Sequence, residues 1–121
     1  MNSDQIPTAE SLRLWQLKTI TGPLLVVFLG LHLVVNHYYG SKNGLLSFED
    51  VVHYFNNPLV PIVEFGFAVV VIVHSLLGLR SIILDLQLKP KTMRILDAAF
   101  TLTGAALVGY ALWLTLKVVS F

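Results

Sequence analysis

Charged residues are absent from three long apolar parts of the chain. These uncharged stretches cover residues 19–41, 65–79 and 98–116. A helix needs about 20 apolar residues to cross the hydrocarbon core of a bilayer, whereas open strands would leave backbone groups that lipid does not hydrogen-bond. The pattern therefore predicts an all-α membrane protein whose three transmembrane helices form part of a helix bundle. We expect one domain over 1–121, with spans at about 19–39, 59–84 and 92–117.

A short amphipathic helix is predicted between the first two spans. Ser47, followed three residues later by Asp50, has the form of a capping box. Apolar residues then recur at helical spacing on one face: Phe48, Val51, Val52 and Phe55. Pro58 disfavours helical geometry in the residue before it. We expect a helix over about 47–57 that lies flat on the membrane surface.

Composition excludes several classes of function. Only 12 % of the residues are charged and 55 % are hydrophobic, whereas soluble domains carry roughly 25 % charged residues. The chain has no cysteine, so it forms no disulfide and holds no iron–sulfur cluster by itself. A net charge of +1 without a basic run gives no footprint for nucleic acid. Polar and acidic residues precede the long first block, which predicts a retained span rather than a cleaved signal.

Lysine and arginine are distributed unequally between the two sides of the predicted membrane. Six lie on the side of the N-terminus, namely Arg13, Lys18, Arg80, Lys89, Lys91 and Arg94. Two lie on the opposite side, Lys42 and Lys117. The positive-inside rule therefore predicts that the N-terminus and the 85–94 turn are cytoplasmic.

Two histidines fall well inside the predicted spans, and a glutamate lies near the outer end of one of them. His32 lies in the first span, His74 in the second, and Glu64 near the outer end of the second. Such residues are costly in lipid and usually face a bundle interior or a functional group. One histidine could simply hydrogen-bond between helices, but one on each of two helices favours metal ligation. Neutral imidazole is a common axial ligand of haem iron. No carboxylate lies at the spacing from either histidine that a zinc or di-metal site would need, so haem is favoured.

The depths of the two histidines predict that they bind different iron atoms. His32 lies 14 residues past Lys18 and His74 lies six before Arg80, which is about 21 Å and about 9 Å at 1.5 Å per residue. Each would need a second ligand from another chain. Gly78, one turn after His74, would let a flat macrocycle approach the backbone, although a small-residue helix contact explains it equally well.

The first span carries one half of a resemblance to a known family. Trp15 is an interfacial aromatic, and Thr21 and Gly22 are followed by His32 in the string FLGLHL, Phe28–Leu33. This order resembles the S/T-G-x9-H pattern in the fourth helix of single-chain dihaem anchors. Those anchors are membrane cytochrome b subunits of succinate:quinone oxidoreductases, meaning succinate dehydrogenase and fumarate reductase.

The second span carries the other half of the resemblance. The string HSLLGLRSIILDL, His74–Leu86, resembles H-x3-G with a nearby arginine in the fifth helix of the same anchors. It also resembles H-x3-G-x6-D in the smaller anchor subunit of two-chain enzymes, with Gly78 and Asp85 in register. Single-haem two-chain enzymes have a quinone-contacting tyrosine after the aspartate, and Leu86 at that position does not favour such a role. The resemblance favours the dihaem subclass, because the single-haem subclass has no equivalent of His32.

The resemblance implies a smaller cytochrome b anchor subunit that passes electrons between the iron–sulfur subunit and membrane quinone. It implies two b haems shared with a sister cytochrome b anchor subunit. His32 would ligate the haem near the outer leaflet, and His74 the haem nearer the cytoplasm. A flavoprotein subunit would act on succinate, and the complex would lie in an energy-transducing plasma or inner membrane.

Arg80, Glu64 and the function as a whole each have two alternative interpretations. Arg80 is either a topology charge or a partner of haem propionates. Glu64 is either an interfacial carboxylate bonded to loop backbone or a proton-handling group beside an outer quinone site. The rival function is a non-redox membrane protein, such as a transporter component or scaffold, whose histidines hydrogen-bond between helices.

Overall fold

The computed structural model describes residues 10–40 and 44–121, which fold almost entirely into helices. Four α-helices follow one another: α1 Leu12–Val35, α2 Phe48–Phe55, α3 Leu59–Leu84 and α4 Pro90–Val119. A π-helical turn, Asn36–Gly40, continues α1. The described residues include no strand. Helices α1, α3 and α4 are long and apolar enough to span a membrane, so the predicted all-α membrane fold with a short helix between the first two spans is confirmed.

The ends of α1 and α4 follow local capping signals rather than the limits of the apolar blocks. Ser11 caps α1, and its side chain accepts a hydrogen bond from the Leu14 N–H at 3.4 Å. The helix therefore begins at Leu12, well before the uncharged block. Helix α4 begins at Pro90, because proline has no N–H to satisfy and its fixed φ suits the first helical position.

Helix α2 begins with the predicted capping box. The Ser47 hydroxyl accepts from the Asp50 N–H at 3.2 Å, and the Asp50 carboxylate accepts from the Ser47 N–H at 2.9 Å. The other end of α2 is anchored by apolar burial, since Tyr54 and Phe55 form a small core cluster with Val60 of α3. Helix α2 therefore sits against one end of the long helices, which we call the α2 end.

The three long helices form a layer with α3 in the middle. Helix α3 packs against both α1 and α4, and no packing between α1 and α4 occurs among the described residues. Two glycines allow close approach: a Cβ on Gly66 would lie 3.1 Å from the ring of Phe28, and one on Gly104 would lie 3.0 Å from Leu76. Both large faces of this layer remain open, because almost all residues of the three spanning helices are exposed or only partly buried.

Candidate functional site

His74 is held by a hydroxyl on the neighbouring helix. Its Nδ1 lies 3.0 Å from Oγ1 of Thr21, and that hydroxyl donates its own hydrogen to the Lys18 carbonyl at 3.1 Å. Because the hydroxyl hydrogen is already used, the hydroxyl acts as acceptor and Nδ1 carries the imidazole proton. Thr21 is only 6 % exposed, which protects the pair from water. In this arrangement the lone pair on Nε2 of His74 makes no hydrogen bond among the described residues.

Two glycines flank His74 with different consequences. A Cβ on Gly22 would lie 3.5 Å from Cε1 of the His74 ring, which is an ordinary contact distance. A Cβ on Gly78 would meet no atom of the described residues within 4 Å. Gly78 therefore borders open space one helical turn from His74. It does not support a contact between the helices of this chain.

His32 is held by the carboxylate of Glu64, a contact that the sequence does not predict. Its Nδ1 lies 2.6 Å from Oε2 of Glu64, at the α2 end of the layer. An ionised carboxylate only accepts hydrogen bonds, so Nδ1 is again the protonated nitrogen. The Glu64 side chain is 13 % exposed. The sequence predicts both residues in spans but not their pairing, because the pairing depends on the register between two antiparallel helices.

Aromatic and amide groups surround the His32 ring. The ring centroid of Phe67 lies 5.0 Å away, with the planes inclined at 34°. The Asn36 amide nitrogen lies 3.2 and 3.3 Å from the two ring nitrogens and donates to the His32 carbonyl at 2.7 Å. Those nearly equal distances place it over the ring, since a position in the ring plane would collide with Cε1. Neither the Phe67 contact nor the Asn36 contact places a hydrogen-bond donor in line with the Nε2 lone pair of His32.

The structure places the two histidines at different levels, as the sequence predicts. His74 lies opposite Thr21, and His32 follows Thr21 by eleven residues on the same helix. At 1.5 Å per residue the separation along α1 is about 16 Å. The described residues contain no group of three or more His, Cys, Asp or Glu side chains that could hold a metal ion. Each histidine is therefore a separate single donor.

Arg80 has a protein partner. Its Nε donates to Asp97 at 2.6 Å and its Nη2 donates to the same carboxylate at 3.1 Å, which joins α3 to α4. The remaining Nη1 is buried without a hydrogen bond among the described residues. The alternative in which Arg80 pairs with haem propionates stays a prediction. Arg80 follows His74 by six residues, which places it about 120° around the helix.

A cluster of polar side chains lies at the end of the layer where α1 begins and α3 ends. Lys18 donates to Glu10 at 2.8 Å and to the Ser81 hydroxyl at 2.7 Å, and that hydroxyl lies 3.0 Å from Glu10. The hydrogen bond from Lys18 lowers the pKa of Glu10, although burial opposes the shift. Three groups from the start of α1 and the end of α3 thus stabilise one another.

A cleft of about 570 Å³ lies under α2 at the opposite end. Its lining residues are Val35, His53, Tyr54, Asn56, Asn57, Leu59, Val60 and Val63. The Tyr54 hydroxyl donates to Asn36 at 3.5 Å, and burial, with the charge of Glu64 adding to it, raises the pKa of Tyr54. Glu64, which the sequence suggests could lie beside an outer quinone site, does not line this cleft.

Comparison with known proteins gives one family. The model of the succinate dehydrogenase/fumarate reductase transmembrane subunit family matches residues 6–116. That stretch contains both histidines, Glu64 and the Arg80–Asp97 pair. No curated protein and no solved structure matches the chain.

Proposed function

Because the chain belongs to the succinate dehydrogenase/fumarate reductase transmembrane subunit family, we propose that it is a haem b-binding anchor subunit. In this role it carries electrons between the iron–sulfur subunit and membrane quinone. The observation that carries the proposal is the shared state of His32 and His74. Each is partly buried in a spanning helix and has its Nδ1 within hydrogen-bond distance of an oxygen on the neighbouring helix, and no donor among the described residues lies in line with its Nε2 lone pair.

The donor chemistry of both histidines fits an iron ligand. Metal-ligating histidines commonly donate their second ring N–H to a carboxylate or another oxygen, which fixes the tautomer and the ring orientation. Glu64 provides a carboxylate for His32, and Thr21 provides a hydroxyl for His74. The open space at Gly78 fits a flat ligand beside His74. Bound haem would supply one-electron transfer at a potential tuned by the protein around it.

The chain's own contribution is to orient these ligands. Thr21 and Glu64 hold the protons on Nδ1, so that neither imidazole has to reorient when it binds. The separation of about 16 Å between the two levels supports two haems rather than one shared iron. In the dihaem arrangement, His32 serves the haem near the outer leaflet and His74 the one nearer the cytoplasm.

The open faces of the three-helix layer support partner subunits in the membrane. A sister cytochrome b anchor subunit would cover one face and supply the second protein ligand of each iron. The iron–sulfur subunit and its flavoprotein would attach on the cytoplasmic side, and the chemistry of succinate belongs to them. In this orientation the N-terminus is cytoplasmic and Glu64 lies towards the outer surface, near a quinone site.

A reduced-minus-oxidised optical spectrum of the purified complex tests the proposal. We expect two b-type haems in the wild type, one of them lost in His74→Ala and the other lost in His32→Ala. His53→Ala is the matched control, because His53 is exposed on α2, and it should retain both haems. Retention of both haems in the two single variants, or loss of both in either variant of an assembled complex, would contradict the assignment.

One observation favours the rival function of a non-redox scaffold. Each histidine makes a hydrogen bond between α1 and α3, which is what a purely structural intramembrane histidine does. The same spectrum decides between the two functions. Absence of any b-type absorbance from the intact complex would leave the histidines with this structural role.

A further inference from the structure

The two histidines have acceptors of different charge. Nδ1 of His74 meets a neutral hydroxyl at 3.0 Å, whereas Nδ1 of His32 meets a carboxylate at 2.6 Å. Hydrogen bonds to an ionised group are shorter and roughly twice as strong as neutral ones. The short contact between His32 and Glu64 is therefore stronger than the hydrogen bond that orients His74, and stronger than is needed only to hold the ring in place.

Few other groups compete for the Glu64 carboxylate. Its second oxygen, Oε1, is buried and has no hydrogen-bond partner in the part of the chain that the structure describes. No lysine or arginine among those residues pairs with it, and its side chain is 13 % exposed. The charge of Glu64 is consequently directed at the His32 imidazole with little shielding, because a low-dielectric setting strengthens such contacts.

The position of the His32 ring is fixed by its other neighbours. Phe67 packs at 5.0 Å from one side, and the Asn36 amide lies over the ring. Gly66, next to Phe67 in sequence, lets the ring of Phe28 approach α3. With the ring held in place, a change at Glu64 alters the charge on the imidazole more than its position.

We infer that Glu64 is a positioning residue for His32, which keeps the proton on Nδ1 and raises the electron density at Nε2. A stronger nitrogen donor favours ferric over ferrous iron and so lowers the reduction potential. This inference rests on the proposed function, since it concerns the iron that His32 would ligate. It gives Glu64 an electronic role distinct from exchanging protons with quinol.

Spectroscopic redox potentiometry of the intact complex tests the role. In Glu64→Gln the side chain keeps its size and an acceptor oxygen but loses its charge, so the haem assigned to His32 should shift to a higher midpoint potential. The haem assigned to His74 should keep its potential. Glu49→Gln, an exposed carboxylate on α2, is the matched control and should shift neither.

A second variant covers the case in which Glu64→Gln does not assemble. Glu64→Asp keeps the charge but shortens the side chain by one methylene, which lengthens the contact with Nδ1 and should give a smaller shift in the same direction. Unchanged potentials in an assembled Glu64 variant, or a shift confined to the His74 haem, would overturn the inference while His32→Ala still removed one haem. Retention of both haems in His32→Ala would instead overturn the proposed function.

Discussion

At the scale of single residues, the direction of one hydroxyl decides the state of a histidine. Thr21 donates to the Lys18 carbonyl and accepts from His74. A side chain of similar shape without the hydroxyl would leave the Nδ1–H of His74 buried and unpaired. Leaving a buried donor unsatisfied costs about 1–3 kcal/mol, so Thr21 contributes to stability as well as to the orientation of His74.

Thr21→Val should therefore weaken the site around His74. We expect the free energy of unfolding in detergent to fall by about 1–3 kcal/mol and the haem assigned to His74 to be lost selectively. Denaturation curves and the haem-to-protein ratio measure the two effects. Thr21→Ser keeps the hydroxyl and is the control, and equal haem content in the valine and serine variants would refute the role given to Thr21.

The two histidines could be predicted as candidate ligands from the sequence, but the groups that accept their hydrogen bonds could not. His32, His74 and Glu64 stand out because ionisable residues are rare in apolar spans. The Glu64–His32 and Asp97–Arg80 contacts depend on how far α3 slides along each neighbour, which no local pattern specifies. A carboxylate near the start of α4, at a depth similar to that of Arg80, was the only sequence signal for the second pair.

At the scale of elements, apolar blocks and capping signals give different information. The uncharged stretches identify which part of each helix lies in lipid, so the three spanning helices could be predicted. The helix ends follow residues such as Ser11 and Pro90, and the predicted capping box correctly starts α2. The layer order, with α3 between α1 and α4, depends on tertiary contacts such as Gly66 against Phe28, which periodicity does not provide.

The start of α1 should respond to acid through Glu10. The hydrogen bond from Lys18 lowers the folded-state pKa of Glu10 below its ordinary value of 4.5. A depressed carboxyl pKa stabilises the folded form above the unfolded value, and this contribution is lost as pH falls through the folded one. As the pH falls from 7 to 3, we expect amides around residues 10–18 to lose protection against hydrogen exchange, measured relative to the intrinsic exchange rate at each pH.

Glu10→Gln provides the control for this acid response. The variant has no carboxyl to protonate at this position, so its amides around 10–18 should already be less protected at pH 7, and their protection should vary less with pH. An identical pH profile in wild type and variant would show that another group is responsible.

At the scale of the whole molecule, three spans place the two ends of the chain on opposite sides of the membrane. The asymmetry of six lysines and arginines to two predicts which side is which. A reporter fused after Lys91 should be cytoplasmic, and one fused after Phe121 should be external. The reverse result would remove the cytoplasmic docking of the iron–sulfur subunit from the proposed function.

Because both large faces of the three-helix layer are open, its association with partner subunits depends on the concentrations of the components. Lipid tails are as apolar as the faces of the layer, so burying those faces against another subunit gains little from the hydrophobic effect. A ligand that binds only the associated state supplies the missing free energy, in proportion to the logarithm of its concentration. If each haem iron is ligated by two chains, the supply of haem would set the fraction of anchor subunits that bind their partner subunit. Haem would then stabilise the assembly of the complex in which it carries electrons.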